Sequence, residues 1–393
     1  MKRLKRNPEV FEPIDLFSSI GLEYNYNIQN SDHQNDFIQI ISDSLVSAKN
    51  TPRVLFGKRV ESSFPIVLGA LGKVLFIKQE DSGASFSTNK SIKLPDYRVT
   101  TESGEQYLVE VKNCHSEDLH YEYPFRNDYL EQLQTYADMN KVPLKLAIYY
   151  SKYNQWVLLD PTSLIKQSRR YVTDFINSVA KNEMGLFGDV LIGAKPNLEF
   201  IIVNDLEKVS PIAEDGQALF VIEDIKLKCD GVELKEEIDK KIAFYLTRYG
   251  DWIESSVTPL VVDNKVESIT FIFEPEHEPD NKGFEFIGYL SSMISTAYRE
   301  HTIIDGKVVS VDANVDPIQF NISIPDDHKS DELPLWRFNI QPNFETKVKM
   351  LSSKTKGKSG SRRALISSPQ PHIMRVRNIK DKRINYCLNT SKF

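Results

Sequence analysis

The sequence predicts an α/β protein, with a mixed central sheet flanked by helices, then a second α+β region and a basic C-terminal tail. Two observations predict the core. Short β-branched and aromatic runs alternate with segments of helical apolar spacing, and one pair of runs is folded back on itself by a turn-rich TTESGE stretch. A third observation concerns charge. Residues 347–393 hold thirteen Lys or Arg against one acid, Asp381, a net +12, which leaves −18 for residues 1–346 of a chain whose total is −6. A basic arm on an acidic body reads either as a phosphate-binding tail or as a solvated one.

Taken in order, residues 1–50 form a helical lead-in. Residues 1–30 carry no assignable pattern, whereas 36–48 place Phe37, Ile40, Ile41 and Leu45 at helical spacing behind Ser31 and Asp32 as caps. Residues 51–205 form the α/β domain. Its first segment, FGKRVESSFPIVLGAL (56–71), reads as a helix, although an interior proline such as Pro65 ordinarily kinks or breaks one. Residues 73–77 form a strand, and the hairpin of residues 93–113 extends it into a sheet. The polar, aromatic run 115–127 suits a loop over a site. Residues 128–140 form a helix with Leu130, Leu133, Tyr136 and Ala137 on one face. Strands at 144–150 and 155–160 and a helix from 163 to about 180 complete the domain.

The remainder, residues 206–346, reads as an α+β accessory domain with no internal repeat. Strands are expected at 218–222, 268–273 and 307–311, with one at 199–203 leading in, and helices at 232–247 and 284–299. The last 47 residues, 347–393, form the basic tail. Within it Gly357, Lys358 and Ser359 look like the end of a phosphate-binding loop. Position 352 is serine where that motif needs glycine, and no strand precedes it, so the reading fails.

Composition excludes several classes. At 40% hydrophobic residues the chain is ordinary for a globular protein. Its three cysteines, Cys114, Cys229 and Cys387, are too scattered for a disulfide framework, a zinc site or an iron–sulfur cluster, which fits a reducing cytoplasm. No apolar run is long enough to cross a membrane, and the basic N-terminus lacks the apolar stretch of a signal peptide.

Chemistry concentrates in the hairpin KLPDYRVTTESGEQYLVEVKN (93–113). Side chains at i and i+2 share a strand face, so Leu108, Glu110 and Lys112 point one way and Tyr107, Val109 and Val111 the other. Leu94, Asp96 and Arg98 share a face of the partner strand. A turn near Ser103 and Gly104 sets Asp96 beside Glu110, with Lys112 next to them. Two close carboxylates repel unless a cation joins them, and such oxygen donors suit Mg²⁺ or Mn²⁺. Triplets of the same form recur at 224–226, 239–241 and 345–347, so the hairpin alone decides little. His115 and His120, with Cys114, match no zinc spacing and suit a loop beside a groove.

Four elements in sequence order carry more weight: Gly57-Lys58-Arg59-Val60-Glu61, Pro95-Asp96, Glu110-Val111-Lys112, and Gln132-Leu133-Gln134-Thr135-Tyr136. They resemble the GxxxE, PD, ExK and QxxxY motifs of the PD-(D/E)xK nuclease superfamily, and are most similar to its RecB-type branch. The resemblance covers roughly residues 51–160. It implies a restriction-endonuclease-like core that hydrolyses DNA phosphodiesters with Mg²⁺ or Mn²⁺, in anti-phage defence, restriction, repair or mobile-element processing.

It also implies roles. Asp96, Glu110 and the Val111 carbonyl hold a metal; Glu61 completes that shell or helps hold a second ion. Lys112 orients the attacking water or stabilises developing negative charge. Gln132 and Tyr136, four apart on one helical face, reach the site or a substrate phosphate. Each has a structural alternative: the helix macrodipole for Glu61, a salt bridge to Glu110 or Asp96 for Lys112, the core for Tyr136. The accessory domain would select substrate or join a protein partner or second copy. A non-catalytic binding or assembly subunit built on the same fold is the competing reading.

Overall fold

An asparagine just ahead of residues 31–49 ties the chain into a helix: Asn30 accepts the Asp32 N–H at 2.8 Å and the His33 N–H at 3.4 Å, so the cap lies one residue before Ser31. The computed structural model describes residues 1–2, 8–82, 85–88, 91–277, 283–320, 322, 324–325, 327–340 and 342. The basic tail and its Gly357–Ser359 stretch lie outside the described residues. Helices α1 (Pro8–Tyr24) and α2 (Ser31–Lys49) lead into α3 (Pro52–Leu71), then β1 (Val74–Gln79), β2 (Tyr97–Thr101), β3 (Gln106–Cys114), β4 (Tyr123–Arg126), α4 (Asn127–Asn140), β5 (Leu144–Tyr150) and β6 (Gln155–Leu159).

The central sheet is mixed, with strand order β1-β2-β3-β5-β6. Only the β3–β5 pair is parallel, which demands a crossover, and α4 supplies it. The hairpin closes as the pattern requires: Thr101 N–H donates to Glu105 O at 2.9 Å, and Gly104 sits at φ +86°. Its register sets Tyr97 opposite Val109 and Arg98 opposite Leu108.

Both faces of this sheet are covered. Val60, Phe64, Val67 and Leu68 of α3 pack on Val99, Val109, Val111 and Trp156. On the opposite face Leu130, Leu133 and Ala137 of α4 pack on Leu108, Leu146 and Ile148. Every residue of β5 is buried, as for a strand covered on two sides.

Pro65 does not break α3. A proline at that position removes the N–H that would bond the Glu61 carbonyl. Tyr97 replaces it, donating its hydroxyl to Glu61 O at 3.1 Å. The substitute bond couples the middle of α3, at Glu61, to β2.

Other expectations are corrected. The helix expected over 163–180 is instead two short strands, Ile165–Lys166 and Arg170–Thr173, and a helix confined to Phe175–Ala180. Arg170–Thr173 pairs with β4, and that long-range pairing outweighs local propensity. Residues 284–299 divide into the strand Glu285–Tyr289 and the helix Leu290–Thr302. The helix expected from 232 starts at Glu237, the strand expected at 218–222 begins only at Ile222, and the strand expected at 307–311 is the pair Lys307–Val308.

Beyond the first sheet, Leu198–Asn204 lies between Ile222–Cys229 and Lys265–Glu274 in a second, antiparallel sheet, whose outer strands are Val232–Glu233 and Ile253–Val262. Helix Glu237–Tyr249 packs against it through Ile242, Ala243 and Leu246. Helix Leu290–Thr302 contributes Ile294, Ala297 and Tyr298 to the first core beside α3. Asp189 starts that helix from a distance, accepting the Ser291 N–H at 2.9 Å and its hydroxyl at 2.6 Å. No described helix is long and apolar enough to cross a membrane.

Candidate metal and phosphodiester site

The site is assembled by three connections. Glu61 arrives on α3, Asp96 stands at the entrance to β2, and Glu110 and Lys112 share the α4-facing side of β3. Asp96 is fixed by the Val111 N–H, which donates to its Oδ2 at 2.6 Å. Glu110 is 3% exposed and accepts both the Lys112 ammonium and the Tyr129 hydroxyl on Oε1. Lys112 Nζ also donates to Tyr129 Oη at 3.1 Å.

One residue was not foreseen. Asp81 follows β1, and its carboxylate joins those of Glu61 and Asp96 so that one oxygen from each lies within 4.8 Å of the others. Among the described residues this is the one cluster of three or more metal-ligating side chains. The antiparallel register carries it there: Gln79 pairs with Tyr97, and Glu80 N–H donates to Asp96 O at 2.9 Å, so the next residue reaches the Asp96 carboxylate. An acid two residues beyond a strand that pairs with the PD strand is the signal a sequence reading would need.

The electrostatics follow from burial and crowding. Burial, then the negative charge of Glu110, pushes the Asp96 carboxyl up to about 7, against the pull of the Val111 N–H and Lys112. Burial alone would lower the Lys112 ammonium, but Glu110 and Tyr129 outweigh it and hold it above its ordinary value. Lys112 is therefore a cation here and not a base. Lys58 pairs with Glu61.

Gln132 and Tyr136 are placed differently from each other and from the acids. Tyr136 donates to Glu80 Oε1 at 2.6 Å, in a cluster where Arg98 Nη2 donates to the same oxygen at 2.6 Å and to Asn140 at 2.9 Å. Burial raises the Glu80 carboxyl, yet Arg98 and Tyr136 bring it net below its usual value. Gln132 offers its backbone carbonyl to the Lys93 N–H at 3.2 Å. The α4 residue that touches Glu110 and Lys112 is Tyr129, three positions before Gln132.

His115 is bonded to Ser151 Oγ at 2.7 Å, a contact that ties β3's end to the turn after β5. The rival acid at 224 keeps a local bond, Ile225 N–H to Asp224 Oδ1 at 2.8 Å. A cavity of about 750 Å³ opens at the turn end of the hairpin, bordered by Thr101, Glu102 and Ser103, and none of the site acids lines it.

No protein-family model and no curated protein matches the chain. Among solved structures it is similar to Hjc, a Holliday junction resolvase from the archaeal hyperthermophile Archaeoglobus fulgidus, at 19% identity and a TM-score of 0.25, over 31% of this chain and 91% of that one. Such a likeness carries no functional weight, which rests on the geometry of the site.

Proposed function

We propose that the protein is a divalent-metal-dependent deoxyribonuclease of the RecB-like PD-(D/E)xK kind. The observation that carries the reading is that Glu61, Asp81 and Asp96 bring carboxylate oxygens within 4.8 Å of one another, while Lys112 stands beside them on Glu110. Three carboxylates brought together from separate elements of the chain repel one another, and a bound cation would relieve that repulsion.

The donor set fits Mg²⁺ or Mn²⁺, because all of the groups are hard oxygens. Glu61, Asp81 and Asp96 would hold the ion, with Glu110 and the Val111 carbonyl as further donors at the same edge. A bound divalent ion supplies Lewis acidity and neutralises charge on a phosphoryl oxygen. Lys112, held protonated by Glu110 and Tyr129, would donate to the attacking water or to a phosphoryl oxygen as negative charge develops. Val111 N–H fixes the Asp96 carboxylate, and Tyr97 fixes the turn of α3 that carries Glu61.

Phosphate-reading chemistry carries no sequence information, so target choice is assigned to the accessory region 206–346 and the basic tail, through DNA or through a protein partner or second copy. Restriction or anti-phage defence is the context we favour, with the protein in the cytoplasm.

The test is incubation of purified protein with plasmid, linear and single-stranded DNA in Mg²⁺, Mn²⁺ or EDTA. Metal-dependent cleavage lost in Asp96→Ala and Lys112→Ala is expected. No cleavage of any substrate by wild type favours the non-catalytic assembly reading, and cleavage that survives either substitution moves the chemistry elsewhere.

A further inference from the structure

We propose that Tyr129 and Lys93 form a substrate-positioning element of this site, in which Tyr129 holds Lys112 and Lys93 contacts a DNA phosphate next to the bond that is cut. The proposal rests on the nuclease reading above and adds two residues that the motif pattern does not contain.

Tyr129 lies in the first turn of α4 and uses both parts of its side chain. Its hydroxyl donates to Glu110 Oε1 and accepts from Lys112 Nζ at 3.1 Å. Its ring receives two ammonium groups: Lys93 Nζ lies 4.5 Å from the centroid and Lys112 Nζ 5.2 Å from it. The Lys93 backbone is tied to the same helix by its N–H on Gln132 O at 3.2 Å. One aromatic side chain thus sets the position of a half-buried cation and of an exposed one.

The two lysines differ in what neutralises them. Lys112 is paired with Glu110, Lys58 with Glu61, Arg98 with Glu80 and Arg126 with Asp128. Lys93 is exposed, and among the described residues it rests on an aromatic face with no carboxylate partner. A ring quadrupole orients an ammonium without cancelling its charge, so the group stays available to an anion. Beside a cluster of acids a free cation is placed for the one anion such a site takes up, a phosphate of the DNA backbone, as a point-charge contact.

Three full-length variants separate the roles: Lys93→Met, Lys93→Arg and Tyr129→Phe, the last keeping the ring and losing the hydroxyl. Cleavage of a fluorescein-labelled DNA duplex in Mg²⁺ gives kcat and KM, and fluorescence anisotropy in EDTA gives affinity across a range of salt. Lys93→Met is expected to raise KM and Kd by about three- to tenfold, leave kcat alone, and lower the slope of log K against log salt by about 1; Lys93→Arg restores both. Tyr129→Phe is expected to lower kcat by about tenfold or more with KM within about twofold, as a charge-assisted bond to Glu110 and Lys112 is lost. Unchanged KM and salt slope in Lys93→Met overturn the phosphate contact. Wild-type kcat in Tyr129→Phe, or a fall in kcat with a matching rise in KM and a lower Tm, overturns the positioning role. Wild-type protein that binds the duplex and does not cut it refutes the nuclease reading and Tyr129's part in it, while the anisotropy arm still decides Lys93.

Discussion

Replacing Asp96 by Asn should make the metal-free protein more stable while destroying its activity. Burial and the charge of Glu110 raise the Asp96 carboxyl from 3.8 to about 7. The folded protein therefore keeps a proton that the unfolded chain has already released, and stability falls as pH rises from about 4 through about 7. At about 1.36 kcal/mol per pKa unit, the full penalty above pH 7 is about 4 kcal/mol. Glu110 contributes part of the crowding and relaxes when Asp96 is neutral, so a gain of about 2–4 kcal/mol is expected at about pH 8, shrinking to about 1 kcal/mol at about pH 4.5. Asn is isosteric and its Oδ1 can still accept the Val111 N–H, so no hydrogen bond is forfeited. Urea unfolding of both proteins in EDTA at the two pH values measures the difference, and repeating it with Mn²⁺ should stabilise wild type far more than the variant. An Asp96→Asn protein no more stable than wild type at the higher pH, or stabilised equally at both, would refute the reasoning.

Other outcomes follow from the same geometry. Asp81→Asn should weaken Mn²⁺ binding by about tenfold in titration calorimetry without a change in Tm, because Asp81 is exposed and its removal costs the fold little. Asp189 is fully buried, and burial pushes its carboxyl up to about 6 despite its bonds from Ser291. Its folded pKa is raised, so stability falls as pH rises between about 4 and about 6; Asp189→Asn should flatten that slope by about 3 kcal/mol in urea unfolding. Deleting residues 347–393 should weaken DNA binding at low salt and reduce the salt dependence, as read by anisotropy; equal binding with and without them assigns the +12 tail to solvation.

Local pattern and tertiary context divided the molecule unevenly. The sequence by itself determined the hairpin, because strand alternation and the glycine at 104 fix which side chains share a face and where the chain turns. It determined α4 and the inward-facing Leu130, Leu133 and Ala137, and it placed Glu61, Asp96, Glu110 and Lys112 on the elements that carry them. It also placed a strand at 144–150, whose complete burial, Lys145 included, the packed sheet decided.

Tertiary structure decided what lies between elements distant in sequence. A lone interior proline cannot announce that Tyr97 will take over the carbonyl it strands, so α3 continues through Pro65 on a bond that only the packed sheet supplies. Residues 170–173 took a strand in place of the expected helix by pairing with β4, between 44 and 50 residues earlier in the chain. Tyr136 matched a motif yet was drawn to Glu80, and Tyr129 took the place beside Lys112 because the first turn of α4, not its middle, faces that end of β3. Asp81 entered the acid cluster through the register of β1 on β2, a quantity set by pairing and not written at position 81. Periodicity and motif spacing are local, whereas these contacts depend on where two elements meet, and that is fixed only when the faces they share are buried.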